Sequence, residues 1–376
     1  MREKQIINVS DQLSVNQRTL LDLIRKNQPV KRSDLTEQTN LTQQSVHRIV
    51  SSLEESGLVQ STPGVAIGPG KPSPVLNLMK DSRFGVGILV NTDSVVICIA
   101  DLSCMARITK QLEIDISDRH NALDQIEATI ETMLADNSIP STAICGIGFT
   151  LPGFFVSENK LFNAPEPLRD WSLLDLQSEL TERFNLPVFL ENSANAGAVG
   201  EALGPIGHKY KDFVYLGFDY GFGGAIVIDG KLHSGRAGNA GEMSAIFMGD
   251  EVAERPAMAK LLEHLSAHGV PLSGIDDLKR NFDPNWPGLD AWVDQTLPHL
   301  NRLIFGLTGI LDPEAIVFGG QIAPKLAEIL ISRVRFPDKY RYDAPPPLPD
   351  LIPGTATDNP AANGVAQLPL KHIYFR

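Results

Sequence analysis

Thr42-Gln43-Gln44-Ser45-Val46-His47-Arg48-Ile49-Val50-Ser51-Ser52-Leu53 is a stretch with two faces. Val46, Ile49, Val50 and Leu53 recur at i, i+3, i+4 and i+7, the spacing that lines one side of an α-helix and packs it inward. Thr42 stands where an N-cap belongs, and Gly57 marks the stop. The other side carries Gln43, Gln44, Ser45, His47, Arg48, Ser51 and Ser52. Amides and hydroxyls of this size hydrogen-bond to base edges, and an arginine takes guanine or a phosphate. The expected DNA contacts are therefore Gln43, Gln44, Ser45, His47, Arg48 and Ser52. His47 alone reads equally well as a solvated histidine.

Working outward, Leu20, Leu21 and Ile24 give a first helix an apolar face, and Asn27-Gln28-Pro29 stops it. Ser33 is placed to cap a short second helix through Thr39, and Asn40-Leu41 makes the turn into the third. Leu58-Val59-Gln60 and Val75-Leu76-Asn77-Leu78 alternate as two strands around a loop holding Gly64, Gly68, Pro69, Gly70, Lys71 and Pro72. The pattern predicts a winged helix-turn-helix over residues 1–80, with Lys71 in the wing as a phosphate contact. The bland alternative is a three-helix packing module with a merely solvated polar face. Charge weighs against it. The chain carries a net −12, yet residues 1–80 hold 10 Lys+Arg against 7 Asp+Glu, so a mildly basic head sits on an acidic body.

Past Lys80 the composition turns to β-rich apolar segments at Phe84–Val90, Val95–Ala100, Ala143–Phe149, Val188–Glu191, Phe213–Gly217 and Ala225–Ile228. Helical stretches such as Leu123–Asp136 and Leu173–Phe184 lie between them, an alternation that argues for α/β architecture. Asp229-Gly230 is a two-residue hairpin turn, and Leu311-Asp312-Pro313 stops a helix before a buried strand at Ala315–Phe318. Cys98, Cys104 and Cys145 are odd in number, form no CxxC and sit in apolar runs, which points to core packing. No stretch approaches the 18 apolar residues of a membrane span, and Met1-Arg2-Glu3-Lys4 begins no signal peptide, so the expected compartment is the cytoplasm.

Several spaced motifs then carry a resemblance. They are Gly146-Ile147-Gly148-Phe149-Thr150-Leu151-Pro152-Gly153, Asn192-Ser193-Ala194-Asn195-Ala196, Gly197–Gly204 with Glu201, Gly217–Gly224, Ala240-Gly241-Glu242 and Asp312-Pro313-Glu314 through Gly320. Their order and spacing resemble the ROK family of repressors, open reading frames and kinases over roughly residues 84–368, and the head resembles that of its repressor branch. The resemblance implies an actin-like, sugar-kinase fold of two lobes. The expected division is a first lobe over residues 81–190 and a second over 191–376, with the C-terminal helix allowed to return to the first. Sugar would sit near the hinge.

A sugar kinase needs a carboxylate to take the proton from the attacking hydroxyl and loops that hold nucleotide phosphates. The family's kinases carry an Asn-Asp pair whose aspartate is that base; here it is Asn192-Ser193, and a neutral serine cannot accept the proton. The family's Asp-x-Gly-Gly-Thr-Lys turn is replaced by Gly87-Ile88-Leu89-Val90-Asn91-Thr92, and Asp219 stands at an expected glycine of the second loop. No catalytic activity is therefore expected, and ATP is not an expected cofactor.

Family members follow Ala-Gly-Glu with a histidine that binds sugar and a structural zinc, then three cysteines. Here Met243-Ser244-Ala245 follows Glu242, the cysteine loop is absent, and no metal is expected. The remaining effector contacts implied are Gly153, Asn192, Ser193 and Glu242, with Glu254 as the match to a second glutamate. Asn192 and Glu242 each keep a structural alternative, and Asn195 reads as a capping or packing residue. The expected function is a DNA-binding transcriptional regulator of carbohydrate uptake and catabolism genes, a repressor, bound to double-stranded operator DNA as a homodimer or homotetramer and controlled by a sugar effector. Two alternatives stay open: a ROK sugar kinase with an appended DNA-binding head, and a ligand-independent DNA-binding protein whose cleft is vestigial.

Overall fold

The computed structural model describes residues 13–64, 74–156, 161–336, 342, 344–355 and 359–376. Lys71 and the tip of the expected wing lie outside the described residues. The head opens with α1 (Val15–Asn27), whose capping box pairs the Ser14 hydroxyl with the Gln17 backbone N–H and the Gln17 side chain with the Ser14 N–H. A short β1 (Val30–Lys31) leads into α2 (Arg32–Glu37), capped at Lys31. Ser33 therefore lies inside this helix, where its hydroxyl donates to Asp34, and caps nothing. Then come α3 (Gln43–Glu55), β2 (Val59–Thr62) and β3 (Val75–Leu78). The strands form one sheet in the order β1-β3-β2, with Val59 opposite Leu78.

The first lobe is a sheet of β4 (Phe84–Val90), β5 (Val95–Asp101), β6 (Ala106–Leu112), β7 (Ile144–Leu151) and β10 (Val188–Asn192), in the order β10-β7-β4-β5-β6. Between them lie α4 (Arg119–Asp136), the small hairpin β8 (Phe154–Phe155) and β9 (Phe162–Asn163), and α5 (Leu176–Phe184). Because β10 pairs along its whole length with β7, the first lobe extends to Asn192, two residues past the expected boundary at 190. The helix expected to start at Leu173 starts at Leu176, because Asp175 caps it through the Ser178 N–H.

Two helices, α6 (Ser193–Leu203) and α7 (Pro205–Lys209), lead into the second lobe. Its sheet, β13-β12-β11-β14-β15, is built from β11 (Phe213–Phe218), β12 (Phe222–Ile228), β13 (Lys231–Leu232), β14 (Ala315–Gly320) and β15 (Asp350–Pro353). Helices α8 (Met258–Ala267), α9 (Ile275–Arg280), α10 (Leu289–Leu311) and α11 (Pro324–Arg333) pack around it.

The last described helix, α12 (Pro360–Tyr374), returns to the first lobe. It lies against β4, β5 and β7 on one side and α6 on another. Glycines make that approach possible: a Cβ on Gly148 would sit 1.9 Å from the Val365 carbonyl oxygen, and one on Gly364 only 1.7 Å from that of Ala196. Sheet strands β4 and β5 are buried on both faces, with α4 on the side away from α12, so they read as unbroken apolar runs. At its far end α12 meets the head. The Arg25 guanidinium of α1 lies 5.2 Å from the centroid of the Phe375 ring, which is 3% exposed. Beside it, Asp22 accepts from Arg25 at 3.1 Å and Lys26 at 2.6 Å, and Arg83 Nε donates to the Tyr374 hydroxyl at 3.2 Å.

Candidate functional site

Parallel strands β7, β10, β11 and β14 end on a common seam, the place where open α/β sheets hold ligands. A cavity of about 500 Å³ lies there, within the range that encloses a small organic molecule. Gly153, Asn192, Ser193 and Glu242 all line it, so four of the five expected effector residues are brought together from both lobes. Gly153 has φ +135°, and a Cβ there would sit 2.4 Å from the Asn163 carbonyl oxygen, so only glycine lets this turn fold back on β9.

Asn192 holds both of its possible roles. Its Oδ1 accepts the Asn195 backbone N–H at 2.7 Å and caps α6, while the residue, 4% exposed, also lines the cavity. Asn195 is the residue being capped; its own Nδ2 donates to Glu191 at 2.8 Å. Glu242 begins a short helical turn, Met243–Ile246, without capping it by its side chain. Burial raises its carboxyl above the ordinary value.

Glu254, the fifth expected effector residue, is not among the residues lining the cavity; its Oε2 meets His299 Nε2 at 2.5 Å. The next residue, Arg255, lines it instead. Asn91, Asn163, Tyr220, Lys260 and Glu263 also line it and were not singled out as effector contacts by sequence. Nor was Asn239, whose side chain accepts from the Phe155 N–H at 2.8 Å and donates to the Phe155 carbonyl at 2.6 Å, tying the second lobe to the β8 hairpin.

Asp219 sits between the ends of β11 and β14, where its Oδ1 accepts the Gln321 N–H at 3.1 Å. Burial pushes its carboxyl up to about 6, opposed by that hydrogen bond. A carboxylate thus occupies a backbone donor at the position where the resemblance would place a phosphate loop. Cys98, Cys104 and Cys145 all belong to the first lobe, burial pushes the thiols of Cys98 and Cys104 up to about 12, and among the described residues no group of three His, Cys, Asp or Glu could hold a metal.

On the head, Gln43, Gln44, His47 and Arg48 are exposed and form one shallow surface with Ser51. Ser45 and Ser52 are turned to other duties. The Thr42 side chain accepts the Ser45 N–H at 3.2 Å and donates to its hydroxyl at 3.0 Å. Ser52 accepts from Gln17 Nε2 at 3.2 Å, tying α3 to α1.

Comparison with known proteins agrees with this arrangement. Residues 11–66 match the MarR family model and residues 86–371 match the ROK family model. The xylose repressor of Caldicellulosiruptor bescii is 29% identical over 348 residues, covering 85% of this chain and 86% of the repressor. The β-glucoside kinase of Listeria innocua is 28% identical over 230 residues, covering 58% of this chain and 76% of the kinase. Among solved structures, a ROK family transcriptional regulator described as a homologue of the Escherichia coli Mlc protein superposes with a TM-score of 0.69 at 20% identity, over 96% of each chain. The fold is thus an actin-like, two-lobed sugar-kinase body behind a winged helix, and the chain belongs to the ROK family.

Proposed function

We propose that this protein is a carbohydrate-responsive transcriptional repressor in which the winged helix binds operator DNA and the cleft senses a sugar without phosphorylating it. The observation that carries the reading is the joining of an exposed reader face, Gln43, Gln44, His47 and Arg48, to a cleft lined by Asn192 and Glu242. The similarity to a xylose repressor over most of both chains supports it. Ser193 supports the noncatalytic part: it is a neutral hydroxyl at the start of α6, and losing a general base costs roughly 10²- to 10⁴-fold in rate.

Signal transfer follows from α12. Its N-terminal residues Asn359, Pro360 and Ala361 border a narrow gap shared with Asn91, Ser193 and Asp219, and its C-terminal end holds the head through Phe375. Closure of the lobes around a ligand would displace one end of α12, whose other end contacts the head through Phe375. The response is bounded by the ligand's differential affinity for the two orientations. Two heads in an oligomer would read a pseudo-palindromic site, with phosphate contacts setting their register. The test is fluorescence anisotropy of labelled DNA from upstream of the protein's own gene, with and without a panel of pentoses and hexoses. Specific binding that a panel member shifts is expected. No specific binding, or hexose-dependent ATP turnover, overturns the corresponding half of the proposal.

A further inference from the structure

The cleft is lined by Asp219, Glu242 and Glu263 against Arg255 and Lys260, and among the described residues Arg255 has no ion-pair partner. Arg255 is half-buried among the lining residues, and among the described residues its guanidinium makes one protein hydrogen bond, from Nε to the Val252 carbonyl at 3.0 Å. Acids close to it in sequence are engaged elsewhere. Glu254 is held by His299, and Glu251 forms a two-pronged pair with Arg302, at 2.9 and 2.7 Å. The other cation of the lining, Lys260, is paired with Glu263 at 2.8 Å. Glu242 carries no protein hydrogen-bond partner on its carboxylate among the described residues, and it is not in ion-pair contact with Arg255. A planar guanidinium with both terminal nitrogens unspent, facing the same cavity as a hydroxyl-binding carboxylate, is suited to a ligand with an anion at one end and hydroxyls at the other.

From this we infer that the effector is an acidic carbohydrate, carrying a phosphate or a carboxylate that Arg255 binds in bidentate fashion while Asn192 and Glu242 take its hydroxyls. Ser193, which lines the same cavity, is consistent with such a ligand, because a hydroxyl can donate to an anion where an aspartate would repel it. The inference rests on the sensing role proposed above and narrows its chemistry.

The test is calorimetric titration of the full chain with glucose, glucose 6-phosphate, glucuronate and inorganic phosphate, and with xylose and xylose 5-phosphate as the pentose pair. An acidic sugar should bind about 10- to 100-fold more tightly than its neutral parent, the range of one charge-assisted hydrogen-bond pair. Whether the phosphate or the carboxylate member binds identifies the anion. In Arg255→Ala the preference should collapse, the acidic sugar binding no more tightly than its neutral parent; Arg255→Lys should restore part of it. Inorganic phosphate alone should bind weakly, since half the site recognises hydroxyls. Neutral sugars binding as well as acidic ones, or a preference that survives Arg255→Ala, overturns the inference and leaves sugar sensing intact. No binding by any carbohydrate overturns both.

Discussion

Replacing Phe375 with alanine should cut communication between head and cleft while leaving the head folded. The ring is 3% exposed and carries the Arg25 guanidinium on its face at 5.2 Å. Burying a phenylalanine is worth about 1.5–3 kcal/mol, and a cation–π contact of this kind adds about 0.5–1 kcal/mol. Loss of both weakens the junction by about 2–4 kcal/mol, or roughly 30- to 1000-fold in the ratio of docked to undocked heads. The head retains its own core of Leu20, Leu21, Ile24, Leu35, Val46, Val50 and Leu53, each at most 1% exposed. DNA affinity measured by anisotropy should therefore stay within a few-fold of the native value, while the shift produced by a stabilising carbohydrate disappears. Limited proteolysis between residues 79 and 83 should accelerate. Phe375→Tyr keeps the ring and should respond as the native protein does. An undiminished carbohydrate response in a folded Phe375→Ala protein would refute the role given to α12.

Other outcomes follow from the same geometry. Asp219 has a folded-state value of about 6 against an ordinary 3.8, so the folded protein binds the proton more tightly. Its stabilising share is present below about pH 4 and lost as pH rises through 6, by an upper figure of about 3 kcal/mol. Asp219→Asn should raise the thermal midpoint at pH 7.5 and flatten its fall between pH 4.5 and 7; an identical pH profile in the two proteins would dismiss the assignment. Gly364→Ala places a Cβ 1.7 Å from the Ala196 carbonyl and should cost at least about 1–3 kcal/mol in urea unfolding, with native stability as the refuting result. Arg48→Ala should cost about 1–3 kcal/mol on the preferred DNA sequence and much less on random DNA. An equal loss on both would make Arg48 a phosphate contact.

How much of this was legible in the sequence depends on the range of the interaction. Periodicity placed α3 to within a residue and the strands β4, β5 and β10 to within one or two, because each pattern is local and each element is buried on a defined face. The two-residue β1 escaped notice: Val30–Lys31 has no pattern of its own and exists only by pairing with Leu76 and Val75. The exposed β6 escaped too, since it has no fully buried face and only Ile108 and Leu112 are half-buried on it. In the cleft, Gly153, Asn192, Ser193 and Glu242 were readable because they lie within spaced motifs. Glu254 and Arg255 show where that reading stops. Of these adjacent residues Arg255 lines the cavity while Glu254 meets His299, more than forty residues downstream, a contact no local pattern announces. Ser45 and Ser52 make the same point on the head, where Thr42 and Gln17 claim them.

The return of α12 to the first lobe also bears on the order in which the protein is made. The head leaves the ribosome first and holds a core of its own, whereas the face of β4 and β7 that α12 covers stays open until the last described helix has been synthesised. A nascent chain, or one truncated before Pro360, would therefore carry a DNA reader with neither its sensor completed nor its anchor at Phe375. Translation itself separates the making of the head from the making of the cleft and of the helix that joins the two.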